Sequence, residues 1–101
     1  MRRAETERAA RARAALPAIV DALSAMGATR IVLFGSLATG RFGLDSDIDL
    51  AVEGIENELR AAIAAERVAN EFTVDIAPLD RALPHVKERI VREGVLLHGH
   101  P

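Results

Sequence analysis

Apolar side chains near the start of the chain recur with the spacing of one face of a helix, and Gly27 supplies a stop. The Ala-, Arg- and Glu-rich segment before Pro17 predicts helical turns of its own, so residues 1–15 are a candidate N-terminal helical arm that docks a partner or presents a solvated face. Pro17 either starts the packed helix or kinks a longer one. The apolar positions of the packed helix are Leu16, Ile19, Val20, Leu23 and Met26.

Three later segments have the patterns of strands. Residues 29–35, TRIVLFG, are apolar and partly β-branched and end in Gly, which indicates a buried strand. Residues 46–52, SDIDLAV, alternate in polarity and place Asp47 and Asp49 on one face, opposite the apolar side chains. Residues 71–79, EFTVDIAPL, alternate in the same way.

Helical patterns separate these strands and define the expected fold. A helix over residues 57–70 is expected to turn four side chains inward: Leu59, Ala62, Ile63 and Ala69. Another helix is expected over residues 84–94, followed by a short strand at 95–98. This order predicts an α/β (α+β) fold, in which helices flank a small mixed sheet, within a single domain spanning residues 1–101.

The connection between the first two strands leaves two topologies open. It is about a dozen residues long, which suits either a short crossover helix or an antiparallel turn.

Composition excludes several classes of function. A net charge of −2, 3% aromatic residues and the absence of Trp and Tyr argue against direct nucleic-acid binding, which relies on basic surfaces and stacking platforms. The chain has no Cys, which fits a reducing cytoplasm. No apolar stretch approaches the roughly 18 residues needed to span a membrane, so no membrane association is expected.

The stretch GSLATGRFGLDSDIDLAV, residues 35–52, carries the candidate chemistry. A P-loop interpretation has the Gly35–Gly40 spacing but lacks the Lys and the hydroxyl that must follow it. An EF-hand interpretation places Asp45, Asp47, Asp49 and Glu56 at loop positions 1, 3, 5 and 12, but position 6 is Leu50 instead of Gly, within a strand-like run. Both interpretations are therefore disfavoured.

A third interpretation takes Asp47 and Asp49 as paired carboxylates of a strand. Alternate strand residues point the same way and lie about 6.5 Å apart, so two such carboxylates can share divalent cations. Asp75 supplies a third carboxylate if its strand is a neighbour. Gly35 and Ser36, at the end of the first strand, can bring backbone N–H groups and a hydroxyl to phosphate oxygens.

Gly-Ser, ten residues and then Asp-x-Asp resembles the signature of the DNA polymerase beta-type nucleotidyltransferase superfamily. The short chain and its ending REGVLLH are similar to the minimal nucleotidyltransferases, the antitoxin partners of HEPN-type toxins in prokaryotic two-gene modules. The resemblance implies the nucleotidyltransferase fold. It also implies transfer of AMP from ATP to a hydroxyl, with release of pyrophosphate, and the acceptor in the best-understood minimal members is a tyrosine of the toxin.

The resemblance implies roles for seven residues of this chain. The catalytic and metal-binding residues would be Asp47, Asp49 and Asp75, which would hold Mg²⁺, two ions per site. The nucleotide-binding residues would be Gly35, Ser36, Arg41 and Ser46. Many relatives carry an Arg shortly after Gly-Ser, where this chain has Leu37, Ala38 and Thr39, so Arg41 is the candidate replacement.

The absence of Tyr places the expected acceptor on another protein, so a hetero-oligomer with a HEPN-type toxin is predicted. Two alternatives remain at this stage. The chain could be a non-catalytic antitoxin that blocks its partner sterically, or the nucleotide-binding subunit of a two-chain enzyme that modifies a small molecule. Phe34 and Phe72 are expected in the core, whereas Phe42 lies beside the candidate site and could touch a base.

Overall fold

A computed structural model describes residues 6–100 as a four-stranded mixed sheet flanked by helices, which confirms the predicted fold class. The strand order is β3-β2-β1-β4, with β1 antiparallel to β2 and β4, and β2 parallel to β3. The elements are α1 (Glu7–Ala25), β1 (Arg30–Phe34), α2 (Gly35–Thr39), β2 (Ile48–Glu53), α3 (Glu58–Ala69), β3 (Val74–Pro78), a 3₁₀ turn (Leu79–Arg81), α4 (Pro84–Glu93) and β4 (Val95–His98).

The two topologies left open between the first strands are combined in the structure. The short helix α2 follows β1 directly, and the chain then returns through a loop to pair β2 antiparallel with β1. The parallel pairing of β2 with β3 uses α3 as its crossover, as parallel neighbours require a long connection. This topology makes β2 a central strand, between β1 and β3.

The N-terminal half of α1 is part of the folded core. The helix is continuous through Pro17, and the Thr6 hydroxyl caps it by accepting a hydrogen bond from the Ala9 N–H at 3.1 Å. Ala9 and Ala12 are buried in the main core. Residues 1–5 of the candidate arm lie outside the described residues, whereas the remainder forms the first turns of this helix.

Helix α3 forms where it was predicted, but the predicted inward face is wrong for its large residues. Leu59 is 70% exposed and Ile63 is 46% exposed, and Ala62 is only half-buried. The buried positions are the alanines Ala61, Ala65 and Ala69. Small side chains allow helix axes to approach closely, and α3 shares the main core with the buried alanines of α1. Close packing between the two helices therefore selects the small face of α3.

The two faces of the sheet are covered by different helices. The main core places α1 and α3 against one face, which contains Ile48 and Leu50 of β2. A smaller cluster on the other face joins Phe34 and Ala51 to Ile90 of α4. Because side chains alternate along a strand, Asp49 belongs to the α4 face. None of the helices within residues 6–100 is long and apolar enough to cross a membrane.

Leu23→Ala and Leu59→Ala test the observed core with the same chemical change at two sites. Leu23 is completely buried, so its truncation is expected to lower the free energy of unfolding by about 2–5 kcal/mol. Truncation of the exposed Leu59 is expected to change the free energy of unfolding by less than about 0.5 kcal/mol. Urea denaturation measures both values, and comparable losses would contradict the observed orientation of α3.

Candidate active site

The turn that joins β1 to α2 brings the backbone against a carboxylate. Gly35 is buried and has φ of +74°, a left-handed conformation that glycine adopts without strain. A Cβ atom at this position would overlap Asp49 Oδ2 and lie 3.1 Å from Asp49 Cβ. Glycine is therefore required at position 35, because the backbone is left-handed there and Asp49 leaves no room for a Cβ atom.

The pairing register of the sheet places two of the predicted aspartates side by side. Asp49 is paired with Phe34 of β1 on one side and with Asp75 of β3 on the other. The condition set by the sequence, that the strand of Asp75 be a neighbour, is therefore met. Asp47 lies one residue before β2 and is exposed, as is Asp75, whereas Asp49 is half-buried.

Asp49 has an unusual proton affinity. Burial, followed by the negative charge of Asp75, raises the pKa of Asp49 from 3.8 to about 6. The charges of Asp47 and Glu93 add to the rise, and the positive charge of Arg89 opposes it. The cluster therefore carries more negative than positive charge, a condition that favours a bound cation.

Helix α4 contributes two side chains, Arg89 and Glu93, that are not among the seven predicted site residues. The Gly35 N–H donates to Glu93 Oε1 at 3.1 Å, and Arg89 Nη2 lies 3.5 Å from the same oxygen. The Arg89 guanidinium also lies over the Phe34 ring, 5.4 Å from its centroid. The spacing of Arg89 and Glu93, four residues apart on a helix, indicates an ion pair but does not say which surface it faces.

The other predicted nucleotide-binding residues are distributed along α2 and the loop after it. Ser36 is half-buried next to Gly35, and its carbonyl accepts the Arg41 N–H at 2.8 Å. Arg41 is exposed and lies beyond the C-terminal end of α2, whereas Gly35 begins this helix. Helix α2 therefore lies between Arg41 and Gly35 along the chain.

Ser46 and Phe42 have local structural partners. The Ser46 hydroxyl accepts the Gly43 N–H at 2.9 Å, and it thereby closes a turn just before Asp47. Phe42 is only 5% exposed and packs edge-to-face on Phe72, with ring centroids 5.9 Å apart. The expected alternative, that Phe42 touches a base, does not fit this burial.

The carboxylates fit a metal that is partly held by its substrate. Within residues 6–100, no three side chains of His, Cys, Asp or Glu converge as a complete metal-binding group. Mg²⁺ commonly takes one or two carboxylates together with waters and substrate phosphates, instead of a full protein cage. The half-buried Asp49, with Asp47 and Asp75 beside it, suits that mode of binding.

Comparison with known proteins identifies the fold family. Residues 16–97 match the nucleotidyltransferase domain family. A comparison with curated proteins found no significant match.

Solved structures give a consistent result. A solved structure described as a minimal nucleotidyltransferase is 32% identical in sequence to this chain, and its TM-score is 0.70. The match covers 84% of this chain and 91% of that chain. A toxin–antitoxin complex with AMP-PNP is 28% identical, with a TM-score of 0.72, over 81% of this chain and 71% of that chain. A complex of a tri-AMPylated HEPN toxin with an MNT antitoxin from Shewanella oneidensis shares the fold at 24% identity and a TM-score of 0.69, over 87% of this chain and 72% of that chain. The chain therefore belongs to the nucleotidyltransferase domain family, and it resembles the minimal nucleotidyltransferases of toxin–antitoxin complexes.

Proposed function

We propose that this chain is an Mg²⁺-dependent antitoxin that transfers AMP from ATP to a hydroxyl of a HEPN-type toxin. The observation that carries the proposal is the contact of the Gly35 turn with Asp49, which stands in register with Asp75. This arrangement puts the start of α2, with Ser36 next to Gly35, beside two paired carboxylates. The similarity to a toxin–antitoxin complex that holds AMP-PNP, an ATP analogue, supports the nucleotide and the partner.

The proposed reaction divides the work among the three aspartates. Asp47 and Asp49 would hold Mg²⁺, two ions per site, and Asp75 would complete the metal site; when bound, these ions would supply positive charge that offsets the charge of the phosphates. The acceptor oxygen forms a bond to the α-phosphorus as the bond from that phosphorus to the bridging oxygen breaks. Pyrophosphate leaves, and Asp75 accepts the proton of the acceptor hydroxyl.

The remaining site residues bind the triphosphate. The Gly35 N–H is already engaged by Glu93, so we assign the phosphate contact in this turn to the Ser36 hydroxyl and N–H. Arg41 and Ser46 remain proposed nucleotide contacts. Arg89 is the cation whose charge acts on Asp49, and it is the stronger candidate for the missing Arg after Gly-Ser.

The partner supplies what this chain lacks. Without a Tyr of its own, the chain must find a tyrosine acceptor on the toxin, and we place both proteins in the cytoplasm, where ATP is available. Complex formation then brings the acceptor hydroxyl to the open side of Asp75, which is exposed in this structure.

The mass of the partner tests the reaction directly. The natural partner, purified with this chain and incubated with ATP and Mg²⁺, is expected to gain one or more AMP units by intact-mass measurement. The double variant Asp47→Asn with Asp49→Asn is expected to give no gain, because two of the three proposed metal-binding carboxylates are lost.

The matched control changes two exposed aspartates away from the site, Asp21→Asn with Asp80→Asn, and is expected to retain transfer. A tight complex whose mass stays constant with the unaltered chain would instead favour a steric antitoxin. AMP found on a small molecule would favour the two-chain small-molecule enzyme.

A pair of glycine substitutions separates the site from general backbone strain. Gly35 and Gly40 both have positive φ, +74° and +80°, so Ala at either position is expected to cost about 1–2 kcal/mol of folding free energy. Only the Cβ at position 35 would overlap Asp49, since nothing lies within 4 Å of one at position 40. We expect Gly35→Ala to abolish transfer and Gly40→Ala to retain it, as measured by partner mass and thermal unfolding. Transfer by Gly35→Ala at the normal rate would refute the proposed role of the turn.

The pKa of Asp49 predicts a pH dependence of stability in metal-free protein. Between its ordinary value of 3.8 and the folded value of about 6, folded Asp49 holds a proton that the unfolded chain has lost. The free energy of unfolding contributed by this group therefore falls as the pH rises through that interval. Asp49→Asn is expected to remove this fall and Asp21→Asn to retain it, in urea denaturation between about pH 4 and pH 7. Identical pH slopes in all three proteins would contradict the shifted pKa.

A further inference from the structure

The loop that leads into Asp47 is held from outside by an arginine of α1. We call residues 43–47 the aspartate loop. Arg8 Nη1 donates to the Gly43 carbonyl at 2.6 Å and lies 3.4 Å from the Ser46 carbonyl, so one group reaches both ends of the turn. Ser46 directly precedes Asp47 in the chain. The Arg8 contact therefore acts on the backbone next to a predicted metal ligand.

Aromatic rings fix the Arg8 guanidinium from the other side. Its central carbon lies 4.7 Å from the centroid of the Phe42 ring and 5.1 Å from that of Phe72. Both distances are within the range of cation–π attraction. A planar guanidinium can stack on rings and donate to carbonyls at the same time, which the compact ammonium of Lys does less well.

The position of Arg8 within α1 indicates that contacts outside the helix explain why an arginine stands there. Arg8 is in the first turn of the helix, where the helix dipole disfavours a cation and favours an acid such as Glu7. Local helix chemistry therefore gives no reason for an arginine here. The contacts with the aspartate loop and the two rings do.

Asp47 needs such a restraint because its neighbours repel it. Its carboxylate shares a negative cluster with Asp49 and Asp75, and like charges at short range raise the energy of the arrangement. An unrestrained loop could relieve this repulsion by carrying the exposed Asp47 away from Asp49. We propose that Arg8 is a positioning residue that holds the aspartate loop so that Asp47 stays beside Asp49. This inference rests on the proposed function only in assigning metal binding to Asp47.

Metal affinity provides the first test, with Mn²⁺ as the probe. Electron paramagnetic resonance measures the concentration of free Mn²⁺, which gives the Mn²⁺ affinity of this chain without any turnover. Arg8→Gln is expected to weaken Mn²⁺ binding about tenfold, the lower end of the usual effect of losing a group that orients a metal ligand. Arg8→Lys, which keeps the charge, is expected to fall between Arg8→Gln and the unaltered chain.

Arg11→Gln is the matched control from the same helix. Arg11 pairs with Glu71 through two hydrogen bonds of 3.0 and 3.1 Å, which tie α1 to the segment before β3 instead of to the aspartate loop. Its loss is expected to leave Mn²⁺ affinity unchanged. Equal weakening by Arg11→Gln and Arg8→Gln would overturn the proposal, because it would show a general effect of anchoring α1.

Amide hydrogen exchange tests the loop independently of metal. The Gly43 N–H donates to Ser46 Oγ, and the Ser46 N–H donates to the Gly43 carbonyl at 3.3 Å. In metal-free protein, Arg8→Gln is expected to speed exchange of both amides at least tenfold, while the exchange of β2 amides stays constant. Unchanged exchange of the two loop amides would refute the positioning role.

Mn²⁺ affinity and amide exchange together distinguish a failure of the proposed metal-dependent function from a failure of the proposed role of Arg8. If the unaltered chain binds no Mn²⁺ without nucleotide but Arg8→Gln speeds loop exchange, the loop restraint stands, and the mass of the partner after incubation with ATP and Mg²⁺ decides the proposed function. If the unaltered chain binds Mn²⁺ and Arg8→Gln binds it equally well, the metal site stands and the positioning role of Arg8 is wrong.

Discussion

The half-buried carboxylate of Asp49 raises the energy of the folded chain whenever it is ionised, and the surrounding structure is arranged to hold it there. Burial and the neighbouring Asp75 both oppose its charge. The sheet fixes its backbone between two strands, and the Gly35 turn closes over it without room for a side chain. Helix α4 then ties that turn down through Glu93. A cation that arrives with a nucleotide would relieve the repulsion that these contacts maintain.

This arrangement separates the elements that create the charge cluster from those that stabilise the fold. Main-core packing lies on the opposite face of the sheet, where α1 and α3 cover apolar side chains of β2. The α4 face carries a much smaller apolar cluster around Phe34 and Ile90. Because successive residues of one strand face opposite sides, β2 supplies both a core layer and the acidic layer. The stability of one layer can therefore offset the electrostatic cost of the other.

The fold class and the nucleotidyltransferase family could be predicted from the sequence, because the first depends on local patterns of polarity and the second on a short motif. The alternation of polar and apolar residues in SDIDLAV predicted which face of the strand carries Asp49, and the Gly-Ser motif predicted the position of the turn. The inward face of α3 could not be predicted, since the choice of Ala65 over Ile63 depends on how closely α1 approaches. Contacts made by Arg8 and Glu93 join residues far apart in the chain, and a single sequence carries no pattern that pairs them.

The alanine-lined contact between α1 and α3 has a consequence for how this protein can change. Ala12, Ala61 and Ala65 are completely buried, so an additional methylene at any of them must displace a helix axis. The contact works as a fixed spacer that sets the position of α1 over the sheet, and α1 carries the arginine that reaches the aspartate loop. A volume change in this spacer would alter catalytic geometry from the far side of the molecule. Substitution within the family should accordingly be slower at these three alanines than at the exposed Leu59 and Ile63 of α3.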